Sequence, residues 1–161
     1  IGNLDDDDTA TSWQTEGYDL PDFGGPQQGA KHGVGIVLTF ASPQDVRDVS
    51  FVTNLPGWTV EVRTADTVAP TLDGWKRVSP VSRVATGVKI PVDLHGAKTR
   101  FVLVWVSRLA VDITDANSFR ARINELSVYA TATDESTSSP QTDPAPGAEV
   151  APAAPSPKLS E

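Results

Sequence analysis

The chain has 161 residues, 39% of them hydrophobic, which is enough apolar material for one sizeable core. Its 13 basic and 21 acidic residues leave a net charge of −8, which repels phosphate backbones and argues against a nucleic-acid partner. There is no cysteine, which excludes disulfides, thiolate metal sites and a cysteine nucleophile, and no apolar run approaches the roughly 20 residues of a transmembrane helix. Methionine is absent too, so the chain is expected to be a processed or excised piece of a longer product.

Near the start stands the run Asp5-Asp6-Asp7-Asp8, whose carboxylates repel one another unless water or a cation screens them. With the threonines that follow, it offers the oxygen donors that a hard cation such as Ca2+ takes; a solvated acidic terminus is the alternative. Beyond it, β-branched and aromatic runs separated by Gly, Pro and Asp predict strands over 35–40, 46–53, 59–64, 75–78, 87–92, 100–106 and 123–130. Helical periodicity is weak throughout, so the expected fold is an all-β sandwich of about eight strands. Within the third predicted strand, Val60 and Val62 alternate with Thr59, Glu61 and Arg63, which predicts one core face and one wet face. The run Phe101 to Val106 is apolar on both faces and predicts a central strand covered on its outer side as well.

From Thr131 onward the composition turns to Ser, Thr, Pro, Ala and Glu, with six of the 13 prolines and almost nothing large and apolar to bury. A folded domain over 1–130 and a solvated tail over 131–161, dispensable for folding, are expected.

Chemistry is sparse. His32 lies in a Gly-rich loop and His95 in the turn Asp93-Leu94-His95-Gly96, and neither belongs to a nucleophile or metal motif. No nucleophile elbow, P-loop or dinucleotide fingerprint occurs, so no enzyme is expected, and Gly24-Gly25 and Gly33-Val34-Gly35 read as loop glycines. Of the tryptophans, Trp105 belongs to the densest strand, while Trp13 and Trp75 adjoin polar turns and are expected to close the ends of the sandwich. Trp58 follows the turn Asn54-Leu55-Pro56-Gly57 and is expected to be exposed, a platform for a sugar ring. Recognition on rigid scaffolds is carried by end loops, which makes Trp58, Tyr18 and His32 the expected saccharide contacts.

The ordered series Thr11-Ser12-Trp13, Gly33 to Leu38, Thr59 to Arg63, Gly74 to Val78, Thr99 to Trp105 and Ile123 to Leu126 resembles a discoidin-type, galactose-binding-like domain over residues 4 to 130. That resemblance implies a jelly-roll sandwich. More closely, the phrases TSWQTEGY, GVGIVLTF and WTVEVRTAD are similar to the extracytoplasmic C-terminal domain of actinobacterial MviN/MurJ-like proteins, which join a lipid II flippase-like membrane region to a pseudokinase. It implies a module on the outer face of the cytoplasmic membrane that recognises a cell-wall glycan or lipid-linked peptidoglycan precursor for its parent membrane protein. The alternative is a structural or protein-interaction module that regulates the parent without binding carbohydrate. In discoidin-like domains an early Asp loop and a Glu at the start of the last strand hold a structural Ca2+. Asp6, Asp8, Thr11 and Glu125 match those places, although Asp7 stands where the family's Asp-Gly turn has Gly.

Overall fold

A computed structural model describes residues 8, 10–25 and 31–131. Asp6 and the predicted tail from residue 132 onward lie outside the described residues. Apart from one 3-10 turn at Leu72–Gly74, the regular structure among the described residues is all β. In chain order the strands are β1 (Trp13–Gln14), β2 (Val34–Gln44), β3 (Val46–Val52), β4 (Thr59–Ala65), β5 (Lys76–Arg77) and β6 (Ser82–Arg83). Then come β7 (Gly87–Pro91), β8 (Thr99–Arg108), β9 (Ala110–Val111), β10 (Phe119–Arg120), β11 (Arg122–Ile123) and β12 (Glu125–Ala130). One antiparallel sheet runs β2-β8-β4, with β5 and β6 both paired to the far edge of β4; the other runs β12-β3-β7. Two short ribbons, β1 with β11 and β9 with β10, close one end.

The two-residue period of the strands builds the core. Ile36, Val60, Val62, Val102, Val104 and Val106 of the larger sheet meet Val49, Phe51, Ile90 and Leu126 of the smaller, all buried. The predicted strands are present with shifted ends. β2 runs on to Gln44 through Pro43, which an edge strand tolerates because its outward N–H has no ladder partner to lose.

Three sequence expectations are corrected. Trp58 is fully buried, at 0% exposure, and packs edge-on to Phe51 with ring centroids 5.8 Å apart. The Asn54–Gly57 turn folds the ring inward because a large aromatic at the start of β4 is the group that fills the gap between the sheets, so Trp58 is no platform for a sugar. Glu61 is not on a wet face. Only 5% exposed, it stands opposite Trp105 and pairs with Arg63 Nε at 2.5 Å and Arg77 at 3.6 Å, the partners a buried carboxylate needs. Gly35 belongs to β2 rather than to a loop, and its missing side chain has a packing cause. A Cβ there would collide with Leu103, and one on Gly33 would come within 2.5 Å of the Trp105 ring. The half-buried Trp105 thus lies over a glycine-floored strip on the outer face of the sheet.

At the other end of the chain, Thr131 donates its backbone N–H to Asp45 O at 2.9 Å, and its hydroxyl binds Asp45 Oδ2 and Arg47 Nε. Among the described residues, contacts therefore continue at least one residue past β12.

Trp58→Ala is expected to cost about 3–5 kcal/mol in chemical denaturation. Trp58→Phe is expected to cost less, because the buried indole N–H makes no hydrogen bond to a described residue and none is lost with it.

Candidate functional site

At the end of the sandwich where β4 begins and β8 ends, a cleft of about 550 Å³ opens between five described segments of chain. Its floor is a row across three strands: Thr59 of β4 pairs with Arg83 of β6 on one side and Arg108 of β8 on the other. The β4–β8 register slips by one residue between Thr59 and Val60, a bulge of the kind that re-aims side chains at the rim of a sheet.

The buried Trp58 fixes the first wall. Gly57 has φ 108°, a left-handed conformation that strains any residue with a Cβ. Its N–H donates to Val84 O and the Val84 N–H donates to Trp58 O, both at 2.8 Å, while Arg83 Nε donates to Gly57 O at 3.3 Å. The turn, Pro56 and Arg83 thus move as one body with the core tryptophan.

The opposite wall is Pro21, whose carbonyl accepts the Leu109 N–H at 2.7 Å. Its loop is anchored by Phe23, which is buried with a left-handed φ of 63°. That backbone costs about 1–2 kcal/mol, offset by burying the ring edge-on to Tyr18 at 5.0 Å. Phe119 completes the cleft and exchanges two backbone hydrogen bonds with Tyr18, of 3.1 and 2.8 Å.

The segment leading to Phe119 hangs on Asp112, a 4% exposed carboxylate. It accepts the Thr114 backbone N–H at 2.9 Å and hydroxyl at 2.7 Å, and pairs with Arg120 Nε at 2.7 Å. The Thr114 hydrogen bonds first, and the Arg120 guanidinium after them, hold its carboxyl below the ordinary range, against the opposing effect of desolvation.

Tyr18 buttresses this end from behind Phe119. Its hydroxyl accepts a 3.2 Å hydrogen bond from Lys31 Nζ, which together with Glu16 holds the lysine above its ordinary pKa. His32 is exposed on the approach to β2 and does not line the cleft. Of the expected metal ligands, the Asp8 carbonyl accepts both the Thr11 N–H and hydroxyl at 3.0 Å, and Asp8 Oδ1 accepts the Ala10 N–H at 2.9 Å. The Thr11 carbonyl accepts Asn124 Nδ2 at 3.2 Å. Continuing the β1–β11 register sets Thr11 across from Glu125, whose Oε2 is shielded from solvent. Among the described residues no three carboxylate or histidine groups gather closely enough to hold a metal by themselves.

The sequence reading missed Arg83 and Arg108. Their one signal is weak: each follows a β-branched or serine-containing run without an acidic residue beside it. A second cleft, of about 330 Å³, lies at the opposite end of β4, where Lys76 and Lys98 share the lining with Asp66.

No family model matches the chain, and no curated protein matches it. Solved structures do share its architecture. CpGH89CBM32-6 produced by Clostridium perfringens matches with a TM-score of 0.52 at 13% identity, covering 81% of this chain and 84% of that one. The C-terminal domain of a chitobiase from Bacteroides fragilis matches at 0.53 and 13% identity, covering 83% and 82%. The fold is that of a galactose-binding-like β-sandwich. The CBM32 of AlyQ, solved in complex with 4,5-unsaturated mannuronic acid, matches at 0.52 and 12% identity over 80% of this chain and 84% of that one. Identities this low establish the architecture and leave the ligand to the chemistry of the cleft.

Asp112→Asn is expected to lower the melting temperature at neutral pH and to flatten the acid limb of the stability curve. A carboxyl depressed on folding contributes fully above its unfolded pKa, and the contribution is lost as pH falls through the lowered folded value. Thermal melts from pH 7 down to pH 2 on both proteins check this.

Proposed function

We propose that the chain is a non-catalytic carbohydrate-binding module whose saccharide site is the end cleft between Pro21, Thr59, Arg83, Arg108 and Phe119. The observation that carries the reading is the combination of apolar proline and phenylalanine walls with a polar row on the floor of a loop-built concavity, in a fold shared with carbohydrate-binding modules. Proline and aromatic rings offer C–H and π surface to a pyranose face, while Thr59 and the arginines offer hydrogen bonds to its hydroxyls. Catalysis would need a general base beside the ligand, and among the described residues the cleft lining contains neither carboxylate nor histidine.

Within that reading, the natural ligand is a cell-wall glycan or a lipid-linked peptidoglycan precursor, and the module works on the outer face of the membrane for a MviN/MurJ-like parent protein. The sequence phrases that resemble that family support this part. Among the described residues no helix is long and apolar enough to cross a membrane. A second reading, a protein-interaction module, draws support from Leu20, Val111 and Ile113, which stand 41%, 51% and 66% exposed in the segments that border the cleft.

A structural Ca2+ held by Asp6, Asp8, Thr11 and Glu125 forms part of the proposal. The hard oxygen donors suit the ion, and the hydrogen bond between Asn124 and the Thr11 carbonyl holds the first loop against the start of β12. When bound, the cation would neutralise the crowded carboxylates and tie the two ends of the domain together.

Titration of isotope-labelled protein with cell-wall glycans and muropeptides is expected to shift the amides of Gly57, Thr59, Arg83, Leu109 and Ala110. Shifts confined to strand centres such as Val62 and Val104 would refute the site. Thermal melting in Ca2+ against chelator tests the metal. At a free concentration about 100 times the dissociation constant the folded state gains roughly 2.7 kcal/mol, on the order of 5–10 °C in melting temperature. The gain should vanish in Glu125→Gln. A wild-type melt indifferent to chelator, with no calorimetric binding at millimolar Ca2+, removes the metal.

A further inference from the structure

The end cleft is cationic in an acidic protein. The chain carries a net charge of −8, yet among the described residues the two ionisable ones in the cleft lining are both arginines, Arg83 and Arg108. They flank Thr59 on neighbouring strands, so their backbones stand about 10 Å apart, twice the strand spacing, and their side chains are long enough to converge on one ligand.

Elsewhere the basic side chains are largely satisfied. Arg63 and Arg77 pair with Glu61, Lys89 with Asp48, and Arg120 with Asp112. Among the described residues Arg83 makes one hydrogen bond, from Nε to the Gly57 carbonyl, and its two terminal nitrogens make none. Among the described residues Arg108 has no ion pair and neither guanidinium meets a carboxylate. Two like charges kept together beside apolar walls repel each other, and a bound anion relieves that repulsion. Guanidinium is also the side-chain group whose fork of N–H donors fits carboxylate and phosphate oxygens.

We infer that the cleft selects an anionic saccharide, a sugar bearing a carboxylate or a phosphate, with Arg83 and Arg108 clamping the charged group and Thr59 between them hydrogen-bonding the ring. The inference rests on the saccharide reading of the same cleft and adds its specificity. The Lys76–Lys98 cleft at the opposite end is a poorer anion site, because Asp66 in its lining offsets part of the positive charge.

The test is an amide titration of the full chain with glucuronic acid, glucose 1-phosphate, glucose and inorganic phosphate. At least one anionic sugar is expected to shift the amides of Thr59, Arg83 and Leu109 with an affinity about tenfold or more above that of glucose. Which of the two does so identifies carboxylate or phosphate as the recognised group. Binding should weaken several-fold from 20 mM to about 0.5 M salt as the Debye length contracts. Arg83→Gln and Arg108→Gln should each cost roughly tenfold, with Lys at either position restoring part of the loss. Unchanged amide positions away from the cleft show that the variants are folded.

Three results overturn the inference in distinguishable ways. Glucose binding as tightly as the charged sugars, insensitive to salt and to both variants, removes the charge selectivity and leaves the saccharide reading standing. Inorganic phosphate matching glucose 1-phosphate, while glucuronic acid and glucose do nothing, reduces the cleft to a simple anion site. No cleft shift with any of the sugars at tens of millimolar removes both readings together.

Discussion

The contact between Phe51 and Trp58 holds the rest of the molecule in place. It joins the inner face of the smaller sheet to the first residue before β4 of the larger, and a ring of that size excluded from water is among the largest single contributions a core of this size contains. Its reach is longer than its own packing. Because Val84 and Gly57 hydrogen-bond around Trp58, burying the indole also sets the angle of the turn above it and the end of β6. Core and cleft are therefore one mechanical unit, and a loosened core would splay Pro56 and Arg83 before it unfolded the sheets.

The fold was legible because the period-two pattern is strong where both sheets bury one face. Val60, Val62, Val102 and Val104 announce themselves in sequence and are all fully buried. What escaped were the two-residue strands β1, β6, β9, β10 and β11, too short to show a period and defined instead by long-range partners such as Ile123 for Trp13. Trp58 was misread for a related reason. A tryptophan after a Pro-Gly turn looks exposed from its neighbours in sequence, but Phe51 across the sandwich decides its position. The site was the least legible part, since Arg83 and Arg108 lie 25 residues apart and only their shared pairing with Thr59 brings them together.

Burial of charge follows one rule throughout. Glu61 and Asp112 are both nearly inaccessible, and each is met by arginine, Glu61 by Arg63 and Arg77 and Asp112 by Arg120 beside the Thr114 donors, so that neither carboxylate enters the interior alone. The two sites differ in what they support. Glu61, paired with Arg77 and with Arg63, which reaches on to the Trp75 carbonyl, staples the edge strand β5 to β4. Asp112 organises the turn that delivers Phe119 to the cleft. Polar groups are thus concentrated at the margins of the sandwich, where they set loop positions, while the centre is left to valine.

The hydrogen bonds from Thr131 to Asp45 fix where the end of β12 lies relative to the cleft. β3 runs from beside Asp45 toward Val52, and the turn that follows it bears Pro56 at the cleft. A strand of this length spans roughly 20 Å, so among the described residues Thr131 stands at the pole opposite the cleft. The Thr131 contacts and the cleft thus occupy opposite poles of the sandwich, so the hydrogen bonds that pin the end of β12 leave the mouth of the cleft untouched.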